Sequence, residues 1–312
     1  MGRQLRIEYP GAYYHVTTRG NEKKDIFKSK RDREKFLSYL ESAVVRYGAN
    51  IHAYCLMSNH YHLLIETPSG NLSQVMQHIN GAYTNYFNAK RKRAGYLFQG
   101  RYKALVIEAD EYATELSRYI HLNPVKSGMV GGPDEYRWSS YQDYTGVRKA
   151  PEWLTTDFIL GMFGKSDGLA QKQYRQFVEE LAGTDLGSLL KGAVAATILG
   201  SDDFVVKIQE EHVDTKQYDR NLPALKQLAN RPSLVRIIEA VKDAFEGKKR
   251  LEEKAAIYLC HKYSGAKLKE IGKHFGVKDS AVSQSSRRFA LEVDQDKDLK
   301  KILAIVEKKL GL

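Results

Sequence analysis

Cysteine is scarce: two residues in 312, Cys55 and Cys260, lie far apart without C-x-x-C spacing, so neither a disulfide framework nor a thiolate zinc site is indicated. No apolar run approaches the roughly 18 residues of a membrane-spanning helix, so no membrane partner is expected. The opening residues MGRQLRIEYPGAYYH carry positive charge but lack the apolar core of about 7 to 15 residues that marks a secretory signal, and a cytoplasmic protein is expected. Internal repeats and low-complexity linkers are absent too. What remains, at 42% hydrophobic and 28% charged residues, is a globular chain long enough for two or three domains.

Charge is unevenly spread along it. The net charge is +11, with 22 basic and 14 acidic residues over 1–150, 11 and 15 over 151–246, 11 and 4 over 247–290, and 5 and 5 beyond. Two basic blocks separated by an acidic one suggest two surfaces for a polyanion, with nucleic acid the leading candidate.

Residues 11–19 are aromatic and β-branched and end at Gly20-Asn21, the pattern of a strand and turn. A helix is expected over 30–47, closed by Gly48. Two short strands follow at 51–57 and 61–66, then a helix from Leu72 to about Ala89 and a fourth strand over 102–108. Asp110 is expected to cap a third helix that the Asn123-Pro124 pair stops. This order predicts an α+β protein whose first domain, residues 1–150, is a ferredoxin-like antiparallel four-stranded sheet. Beyond an irregular connection rich in aromatics, the signals from about 155 on are all-α: a helical connecting region over 151–232 and, over 233–312, a helical domain that contains a helix-turn-helix. The stretch from Gly192 to Ile208 is read as an apolar packing module.

His60 and His62, in the run MSNHYHLLI, share one strand face and can aim at one metal ion. Exposed strand histidines are the plainer alternative. At the end of the last helix of the domain, Tyr119 and Asn123 stand four residues apart on one face. Asn123 would be a third, neutral ligand beside a phenol able to attack phosphorus, unless Tyr119 is a buried core aromatic like its neighbours. An unperturbed tyrosine, with a pKa of about 10, is roughly one part in a thousand ionised at pH 7, a deficit of about 4 kcal/mol, so a nearby cation or base must help.

With these residues go the segments AYYHVTTRGN, GYLFQGRYKA and RYIHLNPVKSG, and residues 1–145 resemble the single-tyrosine transposase domain of the HUH endonuclease superfamily, in particular the REP-associated tyrosine transposases. The resemblance implies a DNA transesterase that cleaves single-stranded DNA at palindromic repeat hairpins. Tyr119 would form a 5′-phosphotyrosine and free a 3′-hydroxyl, with Mg²⁺ or Mn²⁺ held by His60, His62 and Asn123. It implies single-stranded and hairpin DNA as partners and a monomer or homodimer. A non-catalytic DNA-binding regulator derived from such an enzyme is the alternative.

Lys90, Arg91, Lys92 and Arg93 precede an aromatic run that ends in Arg101 and Lys103; cations interleaved with aromatics can hold phosphates and stack unpaired bases. Leu97 and Phe98 are read as core. Arg19 and Arg118 are expected to line the same DNA path, and so is His15, unless it is a core residue with a satisfied hydrogen bond. In the second basic block, a short helix over 267–274, a glycine turn and a second helix over 280–290, capped by Asp279 or Ser280, describe a helix-turn-helix for duplex DNA. Ser280, Ser283, Gln284 and Arg287 would reach bases or phosphates. This stretch resembles the duplex-binding domain of the replication initiator DnaA, although Lys278, Ser280 and Ala281 depart from its recognition signature.

Overall fold

The computed structural model describes residues 6–182, 184, 190, 193–194, 197–212, 232–245, 249–264 and 266–310. Alternating apolar residues and β-branched types give strands β1 (Ala12–Arg19), β2 (Asn50–Leu56), β3 (His60–Thr67) and β4 (Lys103–Ile107). All pair antiparallel in the order β2-β3-β1-β4. This is the expected ferredoxin-like arrangement. Helix α1 (Lys30–Tyr47) starts where the Ser29 hydroxyl accepts from Asp32 N–H and ends at Gly48, whose φ of +63° suits glycine. With α2 (Leu72–Lys90) it covers one sheet face, where the Phe36 ring lies 4.7 Å from Tyr61 and the Tyr61 hydroxyl meets Asn80 at 2.6 Å.

The opposite face carries Leu64, Leu105, Cys55 and Ala53, and helix α3 (Ala109–Lys126) packs on it through Ala113, Leu116 and Ile120. Two expectations for α3 are corrected. Asp110 is not its cap: Glu108 holds that position, and Asp110 sits in the first turn, where its charge favours the helix dipole. Nor does Asn123-Pro124 stop the helix. Pro124 removes a single backbone bond, while Ser127 N–H still reaches Asn123 O at 3.0 Å and Met129 N–H reaches Pro124 O at 3.0 Å, so the turn closes at Gly128 with φ +65°.

The sheet also has a fifth strand that the sequence pattern does not announce. β5 (Ile198–Leu199) runs parallel to β4 on its free edge, with Val106 N–H donating to Thr197 O and Glu108 N–H to Leu199 O. The connection after α3 is less irregular than expected. Short helices α4 (Tyr141–Tyr144), α5 (Asp157–Leu160) and α6 (Asp167–Glu179) bring Tyr141, Tyr144, Ile159 and Tyr174 into the α3 core. Buried His121 fastens them, with Nδ1 2.7 Å from the Tyr174 hydroxyl and Nε2 2.7 Å from the Ser140 hydroxyl.

The chain accordingly divides into two compact units, Gln4–Ser201 and Asp202–Leu312. Residues of 151–182, among them Ile159, Tyr174 and Val178, share the core of the sheet unit. Parts of the expected connecting region, residues 213–231 among them, and Gly192, Ala195 and Ala196 of the packing module lie outside the described residues.

The second unit is helical. It contains α7 (Asp202–His212), α8 (Leu234–Ala244), α9 (Lys249–Leu259) with a π turn over Cys260–Ser264, α10 (Leu268–Phe275), α11 (Asp279–Gln295) and α12 (Lys297–Lys309). Ile237, Val241, Leu259, Ile271, Val282, Phe289 and Val306 form its core. Between α10 and α11 the chain turns at Gly276, φ +66°, and Val277 N–H bonds Gly272 O at 2.8 Å; a Cβ on Gly272 would stand 2.5 Å from Val277 O. Lys278 caps α11 without a side-chain bond, in place of the expected Asp279 or Ser280. Among the described residues no helix is long and apolar enough to cross a membrane.

Candidate active site

Opposed residues of antiparallel strands share a face. The register sets Arg19 against His60, Thr17 against His62 and His15 against Leu64, so Arg19, Thr17, His15, His60 and His62 all stand on the α3 side of the sheet. The two rings His60 and His62 lie 5.0 Å apart, nearly perpendicular at 77°. His62 is buried and nearly coplanar with His15, planes within 8° and centroids 5.2 Å apart, the rings meeting edge to edge where His15 Nε2 lies 2.9 Å from His62 Nδ1. Of the two readings of His15, the hydrogen-bonded buried residue is the one the structure places here. From α3, the Tyr119 ring meets both imidazoles edge-on at 5.8 Å, at 83° to His15 and 84° to His62. Asn123, one turn on, is 8% exposed and donates from Nδ2 to Tyr119 O at 2.7 Å.

Electrostatics keep the imidazoles neutral. Burial pushes His15 down to about 4, and burial together with the Arg19 charge does the same for His60. His62 is held well below its ordinary value by burial first, then by His15, His60 and Arg19. Neutral imidazole is the form that binds metal. Burial also raises the Tyr119 phenol, opposed by the charge of Lys126 and by a hydrogen bond with Asn123. Lys126 lies seven residues, two helical turns, beyond Tyr119 and so on nearly the same face. A helix that stopped at Leu122, as the sequence pattern predicts, would not place it there.

A divalent cation would meet an unusual donor set in this site. Among the described residues no three His, Cys, Asp or Glu gather as a metal-binding group. A site here therefore rests on two nitrogens and a neutral amide oxygen. The fit comes from unspent valence: His62 Nε2 is buried with no hydrogen-bond partner. Asn59 Oδ1, an acceptor, lies 2.7 Å from His60 Nδ1, so that nitrogen bears the proton and Nε2 keeps its lone pair. His60 thus offers a bare Nε2 and His62 an Nε2 with no other partner, so the residues present fit the cation.

The basic residues read as DNA contacts divide into two groups. Arg19 is exposed at the end of β1 opposite His60, and Lys103 is exposed on β4 opposite Thr17, in the same cross-strand row as His62. Arg101 is exposed just before β4. Lys92 and Arg93 are also exposed, on a loop tied to the end of β1 by Asn21 N–H to Leu97 O and Gln99 N–H to Arg19 O, each 2.8 Å. That loop presents Tyr96, 85% exposed, while Leu97 and Phe98 are core as expected.

Lys90, Arg91 and Arg118, also read as DNA contacts, each make an ion pair within the fold. Lys90 Nζ sits 2.8 Å from Asp32 Oδ1 and Arg91 pairs with Asp32 Oδ2, so both neutralise a carboxylate that is fully buried. Arg118 is buried, paired with Glu115, bonded to Phe177 O at 3.0 Å and stacked on the Phe177 ring at 3.9 Å. Each of the three cations is thus paired with a carboxylate of the fold, Lys90 from an exposed position.

On α11, Ser280, Gln284 and Arg287 recur at helical spacing on an exposed stripe, with Ser283 half-buried beside them. Val282, Ser286, Phe289 and Val293 face the core, and Ser286 bonds His261 Nδ1 at 2.8 Å.

No curated protein matches the chain. A solved structure described as that of the REP associates tyrosine transposase bound to a REP hairpin is similar at 17% identity, over 50% of this chain and 93% of its own, with a TM-score of 0.41. The family described as "Transposase IS200 like" matches residues 8–123. The segment running from the approach to β1 through Tyr119 to Asn123 is thus similar to the IS200-like transposases.

Proposed function

We propose that the sheet unit is a single-tyrosine DNA transesterase of the transposase type that acts on single-stranded DNA at repeat hairpins, with Tyr119 as nucleophile. One observation carries this reading above the others: the Tyr119 phenol packs edge-on against His62, whose outer nitrogen is buried and unpartnered, with Asn123 on the same helix face. A regulator that merely occupied DNA would gain nothing from that arrangement. The similarity of residues 8–123 to IS200-like transposases supports the same class.

His60 Nε2, His62 Nε2 and the Asn123 amide oxygen would hold Mg²⁺ or Mn²⁺, which when bound supplies Lewis-acid polarisation of a phosphate oxygen. Arg19 and Lys103, exposed beside the histidine row, would hold the flanking phosphates. The Tyr119 oxygen forms a bond to phosphorus as the bond from phosphorus to the 3′ oxygen breaks, and the phenol proton ends on the released 3′-hydroxyl. Lys126 favours the phenolate by its charge. The resulting phosphotyrosine keeps the energy of the diester, so a new 3′-hydroxyl can reverse the attack and join strands, which hydrolysis by water could not do. In the second unit, α10 and α11 would serve as a helix-turn-helix on duplex DNA, with Ser280, Ser283, Gln284 and Arg287 toward the groove.

Incubating the protein with a single-stranded repeat hairpin and Mn²⁺ tests the reading. A protease-sensitive shifted band on a denaturing gel is expected, lost with EDTA and lost in Tyr119→Phe while DNA binding persists. An adduct surviving in Tyr119→Phe contradicts the assignment of the nucleophile. Binding without any adduct in the wild type favours the regulator.

A further inference from the structure

His62 can serve as a ligand through Nε2 only if its other nitrogen carries the proton, and the structure holds the group that decides this. His62 Nδ1 has one neighbour to bond, His15 Nε2 at 2.9 Å. Two proton arrangements satisfy that contact. In one, His15 donates, which leaves the His62 proton on Nε2, buried and without an acceptor. In the other, His62 Nδ1–H donates to His15, and the bare Nε2 is left for a cation.

We propose that His15 is a positioning residue of the metal site: it accepts the His62 Nδ1 proton and so fixes both the tautomer and the ring orientation that present Nε2. This rests on the metal-binding reading above and adds a role for a residue outside the ligand set. The geometry suits the task. His15 is central in the sheet, on β1 between β3 and β4, with Leu64 and Leu105 as its cross-strand neighbours. The two rings are parallel within 8°. Tyr119 closes over both at 5.8 Å, so a rotation of His62 would also disturb its packing against the phenol. A hydrocarbon in place of His15 could keep the ring packed, but it could not choose the protonated nitrogen.

That distinction supplies the test, made on the full chain by electron paramagnetic resonance titration of free against bound Mn²⁺, with melting temperature alongside. His15→Phe keeps a ring and removes the acceptor, and is expected to weaken Mn²⁺ binding by about 10- to 100-fold. His15→Gln places an amide oxygen near the former Nε2 and should stay within about threefold of wild type, on the same hydrogen-bond logic. His15→Leu serves as a second apolar variant should the phenylalanine fail to fold. Equal Mn²⁺ affinity in wild type and the apolar variants overturns the proposal. So does an equal loss in His15→Gln and His15→Phe, or failure of both apolar variants to fold, either of which assigns His15 to packing. A wild type that binds no Mn²⁺ removes the metal-site reading itself, and this inference with it.

Discussion

Tyr119 is a phenol in a poor place to ionise. Burial raises its pKa, and the opposing influences are the charge of Lys126 and the hydrogen bond with Asn123. Replacing Lys126 with methionine keeps the aliphatic stem and removes the charge. One pKa unit is worth about 1.4 kcal/mol, or tenfold in phenolate population, so Lys126→Met should slow adduct formation by up to about tenfold, while hairpin affinity changes by much less. Single-turnover kinetics at saturating DNA separates the two effects. An unchanged rate would remove Lys126 from the chemistry. His60 and His62 were readable as one pair and Tyr119 and Asn123 as another, because strand and helix periodicities bring each pair to one face. His15 was not, since its partner lies 47 positions away and local spacing carries no trace of that pairing.

Elements were legible where their end signals are local. Helix α1 begins and ends on the expected residues because Ser29 and Gly48 are strong caps. The end of α3 was misjudged because Asn-Pro is a stop signal by statistics, whereas here the proline costs one bond and the helix runs on to Lys126. β5, at two residues, is too short to show a period. The run Lys90 to Arg93 looks uniform in sequence, yet half of it is structural, because Asp32 at the start of α1 waits for Lys90 and Arg91 at the end of α2. Burial disfavours the Asp32 charge, but these two cations and the Lys28 N–H hold its carboxyl far below the ordinary 3.8. The contribution is therefore full above the unfolded value near 3.8 and is lost as pH falls below it toward the lower folded value. Asp32→Asn should destabilise the protein by about 3 kcal/mol at pH 7, the scale for breaking a buried pair, and the gap to wild type should narrow below about pH 4 as the unfolded carboxyl protonates. Urea unfolding at both pH values checks this. A gap independent of pH would deny Asp32 its charge.

At the scale of the molecule, composition suggested two basic surfaces; the sheet unit exposes Arg19, Lys92, Arg93, Arg101 and Lys103, and the helical unit exposes Arg287 and Arg288 on α11. If the second serves duplex DNA, Arg287→Ala should weaken duplex binding and make the slope of log K against log salt shallower by about 0.9 for each phosphate that Arg287 neutralises, with adduct formation on a single-stranded hairpin unchanged. Fluorescence anisotropy across a salt series reads the slope. Equal weakening on both DNA forms would argue against separate roles. All of this depends on which oxygen attacks phosphorus, and that is open to direct measurement. After reaction with a single-stranded hairpin in Mn²⁺, protease digestion and mass spectrometry should find the nucleotide joined through its 5′-phosphate to the peptide that contains Tyr119. A nucleotide on any other residue, or cleaved DNA ending in a free 5′-phosphate with no peptide attached, would contradict Tyr119 as the nucleophile.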